Sequence, residues 1–469
     1  MKNSVQTGWH PVLQFDVKAM DKITPHENTA ASDDRAAKRR AAHTPSLLVA
    51  LDVGSARVAC AIADVGGMRP SLIAIETAAS YGIRAGEIID LARATETIRI
   101  AITSAADKAD ADVRSVAVGL SGDAKLTSSK TAVELDKERR CVTEADIKRL
   151  REGIPSDAPA GRRTIHRFDG PFSVGDLHSI DNPDGLSGDR LEMQATFLSA
   201  PSDRMDNLLN AVRAAGVEIE MLALEPMAAS MGALSSDERD IGALALDFGA
   251  GAFRGALWEG GRLRQIHQAA NEPSQTKSGR SIPCAPHSGG GMESVTLAVA
   301  RRFRIAPATA ERLLRSHGAL GDEALAGLPE FVEVTAVDGL GLVRVETREL
   351  SLTLDELLAP LARSLREGLA GFSSAHAGGI VLTGGGAKMR GMAAWISKRF
   401  GGAPVRLGVP RWDLENGAAL PRELSDCAAC SLAGLVALGA ERRARKKRRL
   451  GAAFFSGIGE RIRRLTASL

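Results

Sequence analysis

Short apolar runs that lead through an aspartate into a turn of small residues occur twice along the chain. Residues 49–64 read VALDVGSARVACAIAD, and residues 243–258 read ALALDFGAGAFRGALW. In each, a strand-type run is followed by Asp, an apolar residue and Gly, and alternating apolar residues resume after the turn. The pattern predicts two strand–turn–strand units, with Asp52 and Asp247 in equivalent positions.

Strand-type and helix-type segments alternate around these two units. The segment SDRMDNLLNAVRAAG predicts a helix that Ser202 caps and that ends at Gly216. Further helices are predicted over 354–372 and, in an Ala/Leu-rich segment, over 426–442. The prediction is an α/β protein.

The bulk composition changes this picture little but excludes several classes of protein. With 469 residues, of which 44% are hydrophobic and 25% charged, the chain is expected to form two or three globular domains. Aromatic residues make up 4%, with a single Tyr, which argues against a stacking platform for single-stranded nucleic acid. Five scattered cysteines favour a reducing compartment. The pattern contains neither a transmembrane run nor a signal peptide, so we expect a cytoplasmic protein.

The C-terminal segment is strongly basic, whereas the rest of the chain has a mild excess of acidic residues. The whole chain has a net charge of +3, yet seven of the eight residues 442–449 are Lys or Arg. Apolar residues then recur at helical spacing with cationic flanks, which is typical of a helix lying in a membrane surface. A solvated charge run, a nucleic-acid-binding tail and a helix docked on the body are the alternatives. The predicted membrane-binding residues are Phe454, Phe455, Ile458, Ile462, Leu465 and Leu469, with Arg461, Arg463 and Arg464 beside them.

The two turns and a third glycine-rich segment are candidates for a phosphate-binding site. Turns of small residues can offer consecutive backbone N–H groups to a phosphate. An Asp at the end of each preceding strand can hold a hydrated Mg²⁺ or polarise water. The third segment, VLTGGGAKMRG, would let a nucleotide approach the backbone at Gly384, Gly385 and Gly386. Each motif alone is as typical of an ordinary structural turn.

Together, these motifs resemble the actin-like ATPase superfamily, in which two related halves clamp ATP with one hairpin each. The segment LEPMAAS resembles the start of the superfamily's connecting helix. There the Glu, here Glu225, positions the attacking water, although Glu-Pro is also an ordinary helix start. The resemblance implies ATP and Mg²⁺ as cofactors and makes Asp52, Glu225 and Asp247 the catalytic candidates.

Within the superfamily the chain resembles the bacterial cell-division FtsA family. The resemblance is carried by DNPDGLSGDRLEMQATFLSAPSDRMDNLLNAVRAAGVEIEMLALEP and by AGGIVLTGGGAKMRGMAAW, and it extends over roughly 47–440. It implies an actin-like (ribonuclease-H-like duplicated) two-domain ATPase fold with an inserted small subdomain and a C-terminal amphipathic helix. The implied division is a disordered extension, 1–45; a first core domain, 46–122 and 206–240; an inserted subdomain, 123–205; a second core domain, 241–299 and 376–440; a second-half subdomain, 300–375; and the tail, 441–469.

The resemblance also assigns the nucleotide-binding residues, and the chain departs from the family pattern among them. Ala252 replaces a Thr hydroxyl, Arg254 stands where an acid is usual, and Leu314 takes a Lys position. These departures predict at most a weak ATPase. The assigned residues are Asp52, Gly54, Ser55, Ala56, Arg57, Asp247, Gly249, Ala250, Gly251, Glu311, Gly384, Gly385 and Gly386.

The function that the resemblance implies is that of a membrane adaptor. The family polymerises, binds the C-terminal peptide of FtsZ, and recruits later membrane proteins of the divisome at the septum, on the cytoplasmic face of the inner membrane. The segment 300–375 is expected to take the FtsZ peptide. Anionic lipids are the other expected partner, and nucleic acid is not expected. The alternatives are a small-molecule kinase of the superfamily, an adaptor without nucleotide control, and an actin-like component of a pilus or secretion assembly.

Overall fold

The computed structural model describes residues 46–67, 70–135, 141–155, 158–269, 274–275, 281–282, 290–373, 375–414 and 425–446. The predicted N-terminal extension and the predicted membrane helix lie outside these residues. No helix in the described part of the chain is long and apolar enough to cross a membrane. The strands are β1 Leu47–Val53, β2 Arg57–Asp64, β3 Ser71–Ala79, β4 Ile83–Arg84, β5 Glu87–Ile88, β6 Ser115–Leu120, β7 Lys125–Glu134, β8 Arg162–Val174, β9 Leu177–Ile180, β10 Arg190–Pro201, β11 Glu218–Leu224, β12 Ala243–Phe248, β13 Phe253–Glu259, β14 Arg262–Gln268, β15 Ser274–Gln275, β16 Ser281–Ile282, β17 Phe331–Thr335, β18 Leu342–Glu346, β19 Ile380–Thr383, β20 Val405–Leu407 and β21 Asp413–Leu414.

The helices cover the sheets and join the two halves of the chain. They are α1 Leu91–Ala109, α2 Glu144–Glu152, α3 Ser202–Ala214, α4 Glu225–Ala233, α5 Ser236–Ile241, α6 Met292–Phe303, α7 Pro307–His317, α8 Thr347–Gly368, α9 Met392–Arg399 and α10, which spans 430–446.

The two predicted hairpins lie near the centres of two sheets that share the same order of five strands, and the first sheet has a sixth strand, β21, parallel to β3. In the first sheet, β3, β2 and β1 pair antiparallel, and β6 and β11 continue from β1 in parallel. In the second, β14, β13 and β12 pair antiparallel, and β19 and β20 continue in parallel. The chain therefore builds one sheet topology twice, as the repeated motif predicts.

A third sheet lies between β6 and β11 in the sequence. Its strand order is β7, β10, β8, β9, all antiparallel, and α2 packs on it. Alternate residues of β10, including Leu191, Met193 and Phe197, are buried, because successive strand residues point to opposite faces. They form a hydrophobic core of their own with Leu150 and Phe172.

Helices α4 and α10 cross between the two halves, and their backbones are in contact at the crossing. A Cβ built on Gly232 of α4 would lie 1.9 Å from the carbonyl oxygen of Cys430, and one built on Gly434 of α10 would lie 1.8 Å from that of Ala228. Only glycine fits at either position. The core around this crossing contains residues of both main sheets, such as Leu51 and Trp258.

Three predicted helix boundaries differ from the structure. Ser202 does not cap α3 but is its first residue, because β10 runs through Pro201 and leaves no free turn before the helix. The helix predicted over 354–372 is α8, which starts at Thr347 directly after β18. The segment predicted as helix over 426–442 begins with a 3-10 turn, Cys427–Ala429, and continues as α10. Gly216 follows α3 with φ +97°, as predicted for a helix stop.

Substituting Gly434 with Ala tests the helix crossing. We expect a loss of at least about 2 kcal/mol in the free energy of unfolding, since the new methyl group meets a backbone carbonyl. Gly439→Ala on the same helix is the matched control. Its Cβ would meet the side chain of Leu48, so we expect a smaller change of about 1 kcal/mol or less. Urea unfolding measures the free energy of unfolding of both variants. Equal losses in the two variants would contradict the backbone contact between α4 and α10.

Candidate functional site

The first turn has the hydrogen-bonding pattern of a tight hairpin. The Gly54 N–H donates to the carbonyl of Arg57 over 3.1 Å. The hydroxyl of Ser55 accepts a hydrogen bond of 2.8 Å from the N–H of Gly86. Ser55 thereby fixes the loop between β4 and β5 against the turn, and its hydroxyl proton is left to donate to a ligand.

The second turn repeats this geometry. The Gly249 N–H donates to the carbonyl of Ala252, again over 3.1 Å. A Cβ on Gly251 would lie 2.6 Å from Oγ of Ser55 and 2.9 Å from the backbone N of Gly86. The two turns, from opposite halves of the chain, therefore touch each other, and only a residue without a side chain fits at the contact.

The N-terminus of α6 supports the second turn, a contact that the sequence prediction missed. The N–H groups of Met292 and Glu293 donate to the carbonyls of Gly249 and Ala250 over 3.0 and 2.9 Å. A Cβ on Gly291 would lie 2.4 Å from the carbonyl oxygen of Ala250. The three consecutive glycines at 289–291 are the signal in the sequence that could have indicated this close approach.

The third glycine segment lies beside the second turn. Gly384 has φ +81°, and a Cβ there would lie 2.6 Å from Oδ1 of Asp247. Thr383 donates its hydroxyl proton to the same Oδ1 over 3.1 Å. A Cβ on Gly386 would meet the side chain of Met292 at 2.7 Å, whereas one on Gly385 would meet nothing within 4 Å. Gly385 is therefore the position of this turn where a ligand could approach the backbone.

The acidic residues Asp52, Glu225 and Asp247 lie close enough to one another to interact electrostatically. A Cβ built on Gly119 would lie 3.5 Å from Cγ of Glu225 and 3.8 Å from Oδ1 of Asp52. Burial and the charge of Glu225 raise the pKa of Asp52 to about 7. Burial also raises the pKa of Asp247 to about 6, against the opposing effect of Arg254. Perturbed carboxyl groups in one cleft are typical of a functional site.

Glu225 is paired with Arg254 across the two halves. Nη1 of Arg254 donates to Oε2 of Glu225 over 2.5 Å, and the two side chains are 3% and 9% exposed. The other carboxylate oxygen, Oε1, is buried without a hydrogen-bond partner. The sequence marks Arg254 as a departure from the family pattern but does not reveal its partner.

The remaining predicted residues differ in their placement. Ala56 is exposed, and Arg57 donates to the carbonyl of Ala428 over 3.0 Å. Glu311 lies on the exposed face of α7 and pairs with Arg315 at 2.5 Å. Leu314 is buried in the core of the second half. The predicted membrane-binding residues lie outside the described residues.

The site fits a nucleotide better than it fits a divalent cation. Gly385, where a Cβ would meet nothing within 4 Å, leaves room for a ligand beside the backbone, whereas Gly251, Gly384 and Gly386 pack against other residues of the protein. Glu225, one of the three acidic residues of the site, is already engaged by the guanidinium group of Arg254. Within the described ranges no cluster of three His, Cys, Asp or Glu side chains could hold a metal ion.

The two thiols of the C-x-x-C segment at 427–430 are not part of the candidate nucleotide site. Cys427 and Cys430 are buried free cysteines. Burial raises the pKa of Cys427 to about 11 and that of Cys430 further, so both are protonated at neutral pH. They behave as small apolar residues.

Replacing Asp52 with Asn tests its raised pKa. The folded protein keeps a proton on Asp52 up to pH 7, whereas the unfolded chain loses it near 3.8. Ionisation therefore favours the unfolded wild type as pH rises between these values. We expect the stability advantage of Asp52→Asn to grow from pH 4 to pH 7, by up to about 1.4 kcal/mol per pH unit, and to level off above.

Urea unfolding at pH 5, 6, 7 and 8 measures this advantage. Asp107→Asn, at an exposed position of α1, serves as the control. An advantage of Asp52→Asn that is the same at pH 5 and pH 8 would contradict the assignment.

Comparison with known proteins finds similarity to the cell division protein FtsA. A family model described as the SHS2 domain inserted in FTSA matches residues 123–199. The chain is 29% identical over 383 residues to the cell division protein FtsA of Escherichia coli K12, covering 78% of this chain and 84% of that protein. It is 27% identical over 354 residues to FtsA of Bacillus subtilis, covering 74% and 75%.

A solved structure is similar in fold. The chain aligns with a structure titled PilM-PilN type IV pilus biogenesis complex with a TM-score of 0.53 and 17% identity, covering 84% of this chain and 98% of that one. At this identity the likeness concerns the fold alone.

Proposed function

The chain is an FtsA-like protein with an actin-like fold, as its motifs predict, and on this premise we propose that it acts in cell division as a nucleotide-binding membrane adaptor. The observation that carries the proposal is the inserted sheet. The match to the FtsA insert covers 123–199, which is the segment that forms β7–β10 between β6 and β11 of the first half. The duplicated core and this insert occur together in one chain.

The nucleotide we propose is ATP, held between the two halves. Backbone N–H groups of the turns at Gly54–Ser55 and Gly249–Gly251 would contact the phosphates, and Gly384–Gly386 would approach the nucleoside. ATP would supply a polyphosphate that both halves bind at once. Asp52 and Asp247 orient water in the cleft, whereas Glu225 is held by Arg254. We therefore expect stable binding and little hydrolysis.

The start of the C-terminal tail is fixed on the first half. Nε and Nη2 of Arg443 donate to the two carboxylate oxygens of Glu220 over 2.6 and 2.5 Å, and Nη1 donates to the carbonyl of Leu47 over 2.6 Å. The described part of the basic segment, up to residue 446, is therefore held on the first half. This supports the proposal that the residues after 446 bind anionic lipids on the cytoplasmic face of the inner membrane, at the septum.

We expect the membrane helix to be sensitive to the face on which a charge is introduced. Ile462→Asp puts a carboxylate into the apolar stripe, and Ala467→Asp puts it on the opposite face of the predicted helix. Flotation with anionic vesicles should fall at least about tenfold for Ile462→Asp, because a buried charge opposes insertion. It should change little for Ala467→Asp. Equal loss in both variants would indicate a purely electrostatic tail.

The protein partners are proposed from the same family assignment. We propose that the C-terminal peptide of FtsZ binds the second-half subdomain, 300–375, and that the inserted subdomain, 123–205, serves self-assembly and contacts with later divisome proteins. Leu352 on α8 is 60% exposed, and Leu340, at the tip of the hairpin β17–β18, is 92% exposed. Exposed leucines of this kind are candidates for contact with a peptide.

Titration with a labelled FtsZ C-terminal peptide tests this placement. Leu352→Glu should weaken binding at least about tenfold, as loss of a buried apolar contact would. Leu177→Glu is the matched control, since Leu177 lies on the inserted sheet and is 55% exposed. Loss of affinity in the control alone would move the docking site to the insert. A wild type that does not bind the peptide would favour an adaptor of a pilus or secretion assembly.

A further inference from the structure

The duplicated hairpins allow Arg254 to be compared with its counterpart in the first half. In β1–β2 the residue opposite Asp52 is Ala59. In β12–β13 the residue opposite Asp247 is Arg254. One half therefore presents a methyl group at this position and the other a permanent positive charge, although the strand pairing is the same.

The guanidinium group of Arg254 is held by two hydrogen bonds and lies close to Gly86. Nη1 donates to Glu225 at the start of α4, and Nε donates to Oε1 of Gln268 on β14 over 3.1 Å. A Cβ built on Gly86 would lie 3.5 Å from Nη2. With 3% of its side chain exposed, Arg254 is fixed at the contact between the two turns.

The charges around this group are those that usually attract a hydrated cation. Asp52, Glu225 and Asp247 lie close enough to interact electrostatically, and Arg254 interacts with both aspartates. Arg57, the other cation near Asp52, is directed to a backbone carbonyl. A divalent cation among these acids would have to displace the guanidinium group or lie beside it, and both arrangements are unfavourable at low dielectric.

We propose that Arg254 takes the place of the divalent cation, so that the cleft binds a nucleoside polyphosphate without Mg²⁺. The inference rests on the proposed function, because it concerns the same nucleotide. The guanidinium donors that Glu225 and Gln268 do not use are available to phosphate oxygens, a pairing that suits the planar fork of arginine.

The same contact occupies one side of the Glu225 carboxylate. Its oxygen Oε2 accepts the hydrogen bond from Nη1 of Arg254. Its other oxygen, Oε1, is buried without a hydrogen-bond partner and can accept a hydrogen bond from a water or a ligand. Arg254 therefore brings a guanidinium group to the proposed phosphates and leaves Glu225 a single free oxygen.

Calorimetric titration of the full chain with ATP tests the proposal directly. One titration contains excess EDTA and the other excess Mg²⁺. We expect dissociation constants within about threefold of each other. A decrease of tenfold or more in affinity with EDTA would overturn the proposal and leave nucleotide binding intact. Absence of binding in both titrations would reject nucleotide binding and the proposal with it, so the two failures are distinguishable.

A double variant that lacks both charges of the ion pair tests whether Arg254 is responsible for ATP binding without Mg²⁺. Changing Arg254 alone would leave Glu225 buried and unpaired, so the double variant Arg254→Gln/Glu225→Gln removes both charges and keeps amide groups in their place. With EDTA it should bind ATP at least about tenfold more weakly than the wild type, and Mg²⁺ should restore part of the affinity.

Two controls accompany the double variant. Arg264→Gln removes an exposed arginine from the neighbouring strand β14, where Arg264 pairs with Glu259, and should bind as the wild type does with EDTA. Thermal unfolding without nucleotide verifies that each variant is folded. A folded double variant that keeps the wild-type affinity with EDTA would overturn the role of Arg254.

Discussion

The buried ion pair between Glu225 and Arg254 constrains the whole cleft. A buried charge is tolerated only while its partner of opposite charge stays beside it. Breaking such a pair costs about 3–5 kcal/mol in the free energy of folding. Glu225 belongs to the first half and Arg254 to the second, so the pair holds α4 against β13. With this spacing fixed, Gly251 lies on Ser55, and the two turns come into contact.

This approach of the halves depends equally on small residues. Gly232 and Gly434 let α4 and α10 cross at backbone distance, and Gly251 does the same for the turns. Larger side chains at these positions would separate the two halves, and Nη1 of Arg254 would no longer reach Glu225. The ion pair and the glycines therefore act together. The glycines permit the close approach of the two halves, and the ion pair makes their separation energetically costly.

Local patterns in the sequence predicted the parts of the fold that depend on local physics. The hairpins follow from alternating apolar residues and turn glycines, and Asp52, Asp247 and Gly384 lie at the cleft for the same reason. The partner of Arg254 could not be predicted, because it comes from another element of the other half. The α8 boundary was wrong because its first turn follows directly from β18. Comparing the two hairpins position by position, Ala59 against Arg254, is the signal that would have singled out this residue.

The departures from the family pattern form a coherent set once they are placed in the structure. Ala252 is buried in the second turn and offers a ligand no hydroxyl, Leu314 packs into the core of its half, and Arg254 neutralises Glu225. The backbone geometry that suits phosphates is retained, whereas the groups suited to activating water are replaced or occupied. A site of this kind favours a long-lived bound state over turnover. For the proposed membrane adaptor, attachment through a reversibly binding tail would depend, through avidity, on how many copies assemble and not on the rate of nucleotide hydrolysis.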